Sequence, residues 1–169
     1  MNIHSAIIQG AKILGNKFIP FPYLDSEILM TKVINKDKKY ILINPKEKIK
    51  AKDLIFFQKL IRERSEGKPV AYLTKKKSFW NSEFIVTKDT LIPRPDTEII
   101  IESVLNITKN KTNLNILDIG VGSGCILLSI LKERKYYHGT GIDISKNCLK
   151  ITKMNAINLE VNSRLKLYK

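Results

Sequence analysis

The sequence predicts an α/β chain: a helical first third, a β-hairpin, and the first half of a Rossmann-like doubly wound sheet. Three observations predict it. Apolar residues recur at helical spacing from Ile3 to Ile61. Between Val70 and Ile92 the pattern shortens to aromatic and β-branched runs of strand character. From Leu114 onward strand-like and helix-like segments alternate, the order that builds parallel strands joined by right-handed crossovers. The boundaries drawn from this reading are 1–67 for a helical domain, 68–92 for a hairpin linker and 93–169 for an incomplete sheet domain.

Each element has its own signal. Ile3, Ile7, Ala11 and Leu14 form one helical stripe, and Leu24, Ile28, Leu29 and Val33 a second, with Phe21-Pro22 punctuating the two. Asn44-Pro45 reads as a turn. Leu54, Phe57 and Ile61 mark a third helix, which Gly67-Lys68-Pro69 should end. Phe79, Trp80, Phe84, Ile85 and Val86 flank Asn81-Ser82, a hairpin turn because Asn tolerates positive φ. In Leu91-Ile92-Pro93-Arg94-Pro95-Asp96-Thr97-Glu98, Pro95 suits a first helical position, where Asp96 and Glu98 would complement the helix dipole. A rigid double-proline segment holding Arg94 could equally line a pocket, so both readings stand. Strand, helix and strand follow, with a third strand starting near Arg164-Leu165 and left as an edge.

The chemistry concentrates in Asp118-Ile119-Gly120-Val121-Gly122-Ser123-Gly124-Cys125 and Gly141-Ile142-Asp143-Ile144-Ser145. A strand, a glycine turn and a helix N-terminus cradle a nucleotide-like ligand. Asp143 follows Gly120 by about 20 positions, where a second strand returns beside the first and a carboxylate meets ribose hydroxyls. A dinucleotide would set its pyrophosphate at the helix N-terminus. Asp118, at the same mouth, would repel that pyrophosphate but suits the ammonium of S-adenosylmethionine (AdoMet). The glycines alternate, whereas the dinucleotide pattern wants a third small residue at 125, a distinction that Cys125 blurs. The alternative is a glycine turn with no ligand.

Composition sets the outer limits. The 169 residues are 43% hydrophobic and 27% charged, ordinary for a globular chain. No apolar run reaches about 18 residues, so no membrane span is expected, and the N-terminus has no signal-peptide pattern. Cys125 and Cys148 have neither metal-ligand nor disulfide-framework spacing, so no metal is expected and a cytoplasmic location is. The net charge is +14, but the lysines are spread among Ile and Asn, and Lys75-Lys76-Lys77 has no interleaved aromatics. We read it as solvated surface rather than a nucleic-acid site.

The run from Gly67-Lys68-Pro69-Val70-Ala71-Tyr72 through Pro93-Arg94-Pro95-Asp96-Thr97-Glu98 to the glycine loop resembles the release-factor glutamine methyltransferases (the HemK/PrmC family). The resemblance extends over essentially the whole chain. It implies AdoMet-dependent methylation of the Gly-Gly-Gln glutamine of class 1 peptide chain release factors, with the helical third recognising that protein substrate. Nucleic acid is not required in this reading, and a monomer is expected. Carried over residue by residue, Gly120, Val121, Gly122, Ser123 and Gly124 correspond to the AdoMet loop and Asp143 to the ribose-binding acid. Lys75 and Asn81 stand where the family usually has Gly. The family's Asn-Pro-Pro-Tyr motif, which orients the acceptor amide, does not occur in these residues. The only Asn-Pro is Asn44-Pro45, upstream of the cofactor loop. The expectation is therefore a truncated chain, inactive alone, with no catalytic residue assigned. An adenine amino-methyltransferase on RNA or DNA and a non-catalytic remnant are the alternatives.

Overall fold

Asn2 starts the first helix, its side-chain oxygen accepting the Ser5 N–H at 2.8 Å. That helix, α1 (Ile3–Gly15), is followed by α2 (Pro22–Ile34), α3 (Lys38–Ile43), α4 (Ala51–Ser65) and α5 (Val70–Thr74). The computed structural model describes residues 1–169 as two units, Met1–Thr74 and Lys75–Lys169. In the first, α1, α2 and α4 converge on Gly10. A Cβ there would lie 2.5 Å from Ser26 Oγ, 2.8 Å from Ile61 Cδ1 and 3.1 Å from Phe57 Cζ. The surrounding core is Ile3, Ile7, Leu14, Leu29, Met30 and Ile61 with their neighbours.

This crossing corrects the stripe expected for α2. Leu24 is exposed, and α2 buries Asp25, Ser26 and Glu27 beside Leu29 and Met30. A small residue is needed where α1 approaches, which rotates polar neighbours inward, and each finds a partner. The Ser26 hydroxyl donates to the Ile7 carbonyl at 2.8 Å, Arg64 Nε donates to Asp25 at 2.7 Å, and Lys38 meets Glu27 at 2.7 Å. The expected end of α4 is there in detail. Gly67, at φ +95°, donates to the Arg64 carbonyl and Lys68 to the Glu63 carbonyl, the paired closure of a Schellman motif. Two elements differ from expectation. α3, capped by the Asp37 side chain on the Tyr40 N–H, had no predicted counterpart. Val70–Thr74 is helical, not extended, opened by Pro69, whose carbonyl accepts from Tyr72 and Leu73.

The second unit opens with the antiparallel hairpin β1 (Lys76–Phe79) and β2 (Ser82–Ile85). Its turn carries positive φ at Trp80 (51°), not at Asn81 as expected. The Trp80 ring offsets that strain: its indole N–H donates to Glu133 and its backbone N–H to Glu98, both at 2.7 Å. Lys75 is also left-handed, at φ 61°, which explains why glycine suits that position. A short 3-10 turn, Pro95–Thr97, runs into α6 (Glu98–Ile107), so the double-proline segment is a helix start. Arg94 stands exposed, without an ion pair.

Then come β3 (Asn115–Ile119), α7 (Cys125–Glu133), β4 (His138–Ile142), α8 (Lys146–Asn158) and β5 (Leu165–Tyr168). The strands are parallel in the order β3-β4-β5. Register puts Ile116, Gly139 and Leu165, then Asp118, Gly141 and Leu167, on one face. α7 closes on it because a Cβ on Gly139 would meet Leu131 at 2.9 Å and Leu127 at 3.0 Å. The other face carries Leu117, Ile119 and Tyr168, exposed by 57%, 77% and 55%. No helix is long and apolar enough to cross a membrane.

Gly10→Ala should destabilise the first unit by about 1–3 kcal/mol, overpacking outweighing the better helix propensity of alanine. Urea unfolding followed by far-UV circular dichroism measures it; unchanged stability would mean that α1 has room to move off α2 and α4.

Candidate cofactor site

β3 ends at Ile119, and the five residues Gly120 to Gly124 turn the chain into α7. The three glycines have φ of 84°, 56° and 82°, a region costly for other residues. They are not equivalent. A Cβ on Gly120 would meet nothing within 4 Å, and on Gly122 only the Gly120 carbonyl at 3.8 Å. Both face open space that a side chain would fill. On Gly124 a Cβ would lie 2.8 Å from both Leu128 Cδ1 and Thr152 Cγ2, so this glycine serves close packing.

Asp143 follows β4. One carboxylate oxygen accepts the Gly122 N–H at 2.9 Å, and the other accepts the Ser145 N–H at 2.8 Å. Ser145 caps α8, accepting the Cys148 N–H. The carboxylate thus ties the loop to the start of α8 while each oxygen keeps a further lone pair for a ligand hydroxyl. The N–H groups of Gly120 and Val121 both bond the Ile142 carbonyl, at 2.8 and 3.0 Å. Of the residues singled out in the sequence, Gly120, Gly122 and Asp143 lie toward the open side, whereas Val121, Ser123 and Gly124 are buried.

Asp118 is half-buried. Burial pushes its carboxyl above the usual carboxylate range, against the Leu127 backbone N–H, and the Asp143 charge adds to the rise. Burial likewise pushes the Cys125 thiol up, with Asp118 contributing, so it is no activated nucleophile. Two participants escaped sequence reasoning. Thr152 and Asn155 of α8 are fully buried, and their side chains bond the carbonyls of Gly122 and Ser123 at 2.9 and 2.8 Å. The available signal was two polar residues inside the apolar stripe Cys148, Ile151 and Ala156.

With this geometry in place, comparison with known proteins is direct. Residues 5–74 match the family model described as the PrmC N-terminal domain. The release factor glutamine methyltransferase of Leptospira interrogans is 37% identical over 159 residues, 94% of this chain and 56% of that protein. That of Buchnera aphidicola is 39% identical over 156 residues, 92% of this chain and 56% of its own length. The chain is similar in sequence to the release factor glutamine methyltransferases. It spans 48–57% of the length of the first such relatives. Among solved structures, a SAM-dependent methyltransferase from Geobacter sulfurreducens in complex with S-adenosyl-L-homocysteine is similar at 25% identity and TM-score 0.38. The similarity takes in 44% of this chain and 28% of that one.

The raised carboxyl of Asp118 sets a pH dependence. Its charged form is the disfavoured one in the folded chain, so neutral pH carries a penalty that fades as pH falls through the folded value toward the ordinary one. Asp118→Asn should therefore melt at or above the wild-type temperature at pH 7, the gap narrowing in acid. Paired thermal melts across pH check this, and a lower midpoint at pH 7 would show that the carboxylate stabilises the loop.

Proposed function

We propose that residues 75–169 hold AdoMet, and that the protein methylates the side-chain amide nitrogen of the Gly-Gly-Gln glutamine of a class 1 peptide chain release factor. One observation carries the cofactor half: the left-handed glycines 120 and 122 face open space beside the Asp143 carboxylate, with Asp118 on the same strand end. A pyrophosphate would meet the Asp118 carboxylate there, whereas AdoMet offers an ammonium; Asp143 suits the ribose hydroxyls of either ligand. The names of the relatives and the PrmC N-terminal domain match support the protein substrate over adenine in nucleic acid.

Bound AdoMet supplies an electrophilic methyl group on a sulfonium. The work of this chain is orientation: Asp143 would accept from the ribose, Gly120 and Gly122 would let the ligand approach the main chain, and Asp118 would offset the ammonium charge. An amide nitrogen is a poor nucleophile, its lone pair delocalised into the carbonyl. Rate must then come from alignment and matched electrostatics, with no covalent enzyme intermediate. In the family the Asn-Pro-Pro-Tyr motif holds that amide, and we assign no acceptor-holding role within these residues. The reading places the protein in the cytoplasm, as a monomer that meets release factors there.

Asp143→Ala should weaken AdoMet binding by about 1.5–3 kcal/mol, the loss of charge-assisted bonds to ribose and loop. Gly122→Val should be harsher, since a branched side chain fills ligand space and opposes positive φ. Calorimetry with AdoMet, and with NAD as the rival ligand, measures both; unchanged affinity in Asp143→Ala would remove Asp143 from the site.

For the substrate, the chain extended with the unmatched residues of the Leptospira relative should transfer radiolabel from AdoMet to a release factor. A Gln→Ala change in the Gly-Gly-Gln loop should abolish labelling. Labelling of naked rRNA or DNA instead would establish the adenine reading.

A further inference from the structure

We propose that Thr152 and Asn155 of α8 are positioning residues that set the geometry of the cofactor loop before any ligand arrives; the inference rests on the cofactor reading above. Carbonyls inside a buried turn need partners, and the loop cannot supply them for residues 122 and 123. The Thr152 hydroxyl donates to the Gly122 carbonyl at 2.9 Å, sharing its proton with the Cys148 carbonyl at 3.1 Å. Asn155 Nδ2 donates to the Ser123 carbonyl at 2.8 Å and to the Ile85 carbonyl at 3.0 Å, while its Oδ1 accepts the Ile85 N–H at 2.7 Å. Exchanging the oxygen and nitrogen of that amide would set donor against donor and acceptor against acceptor, so the network fixes its orientation.

The consequence follows from peptide planarity. Every peptide bond is trans, so a carbonyl and the following N–H point in opposite directions. Binding the Gly122 carbonyl to Thr152 turns the Ser123 N–H away from α8. Binding the Ser123 carbonyl to Asn155 turns the Gly124 N–H toward the Val121 carbonyl, which it reaches at 2.7 Å. Asp143 holds the preceding plane through the Gly122 N–H. Three successive peptide planes are thereby pinned, and a pinned loop loses little conformational freedom when a ligand binds. Asn155 also joins the end of β2 to the loop, whereas the Thr152 hydroxyl bonds, beyond its own helix, to the loop.

Thr152 gives a clean test because its two γ substituents do different things. The hydroxyl bonds the loop, and the methyl packs against Gly124. Thr152→Val keeps the methyl and Thr152→Ser keeps the hydroxyl. In the 169-residue chain, AdoMet affinity measured by calorimetry well below each melting temperature should fall about 3–10-fold in Thr152→Val. It should return to within about twofold of wild type in Thr152→Ser. Ligand-free amide exchange at Gly124 should quicken in Thr152→Val while Ile85 keeps its protection; Asn155→Leu, which removes both the donor to the Ser123 carbonyl and the acceptor for the Ile85 N–H, should quicken both. Affinity that ignores the hydroxyl, or a melting temperature that falls with affinity and exchange unchanged, overturns the proposal. Failure of the wild-type chain to bind AdoMet would instead sink the cofactor reading. The ligand-free exchange then decides alone: protection that follows the hydroxyl upholds the positioning, and protection indifferent to it overturns it.

Discussion

The site depends on one constraint: the turn from β3 into α7 contains backbone groups that it cannot satisfy by itself. A regular strand or helix passes its hydrogen bonds to neighbours, but five residues with three left-handed glycines have no such ladder. Their partners come from elsewhere in the sheet unit. Ile142 at the end of β4 takes two N–H groups, Asp143 takes a third, and α8 takes two carbonyls. The loop is therefore a product of the second βα unit as much as of the first. This gives the glycine pattern and the distant carboxylate a common cause, since neither has its observed geometry without the other.

The same division of labour appears among the glycines of the sheet. Gly139 and Gly141 are small because helix and loop side chains come close: Leu127 and Leu131 over the first, Val121 and Leu167 beside the second. Gly124 lets α8 approach through Thr152. Only Gly120 and Gly122 are small with nothing nearby to require it. Gly67 also has open space and positive φ, but the stop of α4 accounts for it; at Gly120 and Gly122 no helix cap does, and a ligand is what remains to explain them.

Sequence made the glycine loop, the return of a strand to Asp143, the helix start at Pro95 and the stop at Gly67 legible. Each is local, its cause lying within a few residues of its effect. The misread elements have distant causes. Val70-Ala71-Tyr72-Leu73-Thr74 holds β-branched and aromatic residues, yet Pro69 opens a helical turn that buries Leu73 and Thr74. Asn81 had the better intrinsic claim to positive φ, but Trp80 takes it because Glu98 and Glu133 hold its backbone and ring. The polar face of α2 turns inward because Gly10, on another helix, leaves room only for Ser26. Thr152 and Asn155 were missed for the same reason, since a polar residue in an apolar stripe does not reveal which backbone it will meet.

The charge of the chain bears on ligand choice in an unexpected direction. A net charge of +14 should by itself favour anions everywhere on the surface, and a helix N-terminus favours them further. Yet the mouth of this loop has two carboxylates near enough that Asp143 raises the proton affinity of Asp118. Solvent screening weakens the summed field of distant lysines within about 10 Å at moderate ionic strength, while half-buried neighbours feel each other much more strongly. The local pair therefore decides the sign of the site, and it is opposite to that of the protein. Keeping a carboxylate where burial opposes its charge makes sense if a cation arrives to offset it. On the proposed reading, selection between a sulfonium cofactor and a dinucleotide would rest on Asp118, with the Asp143 charge beside it, and not on the basic composition of the chain.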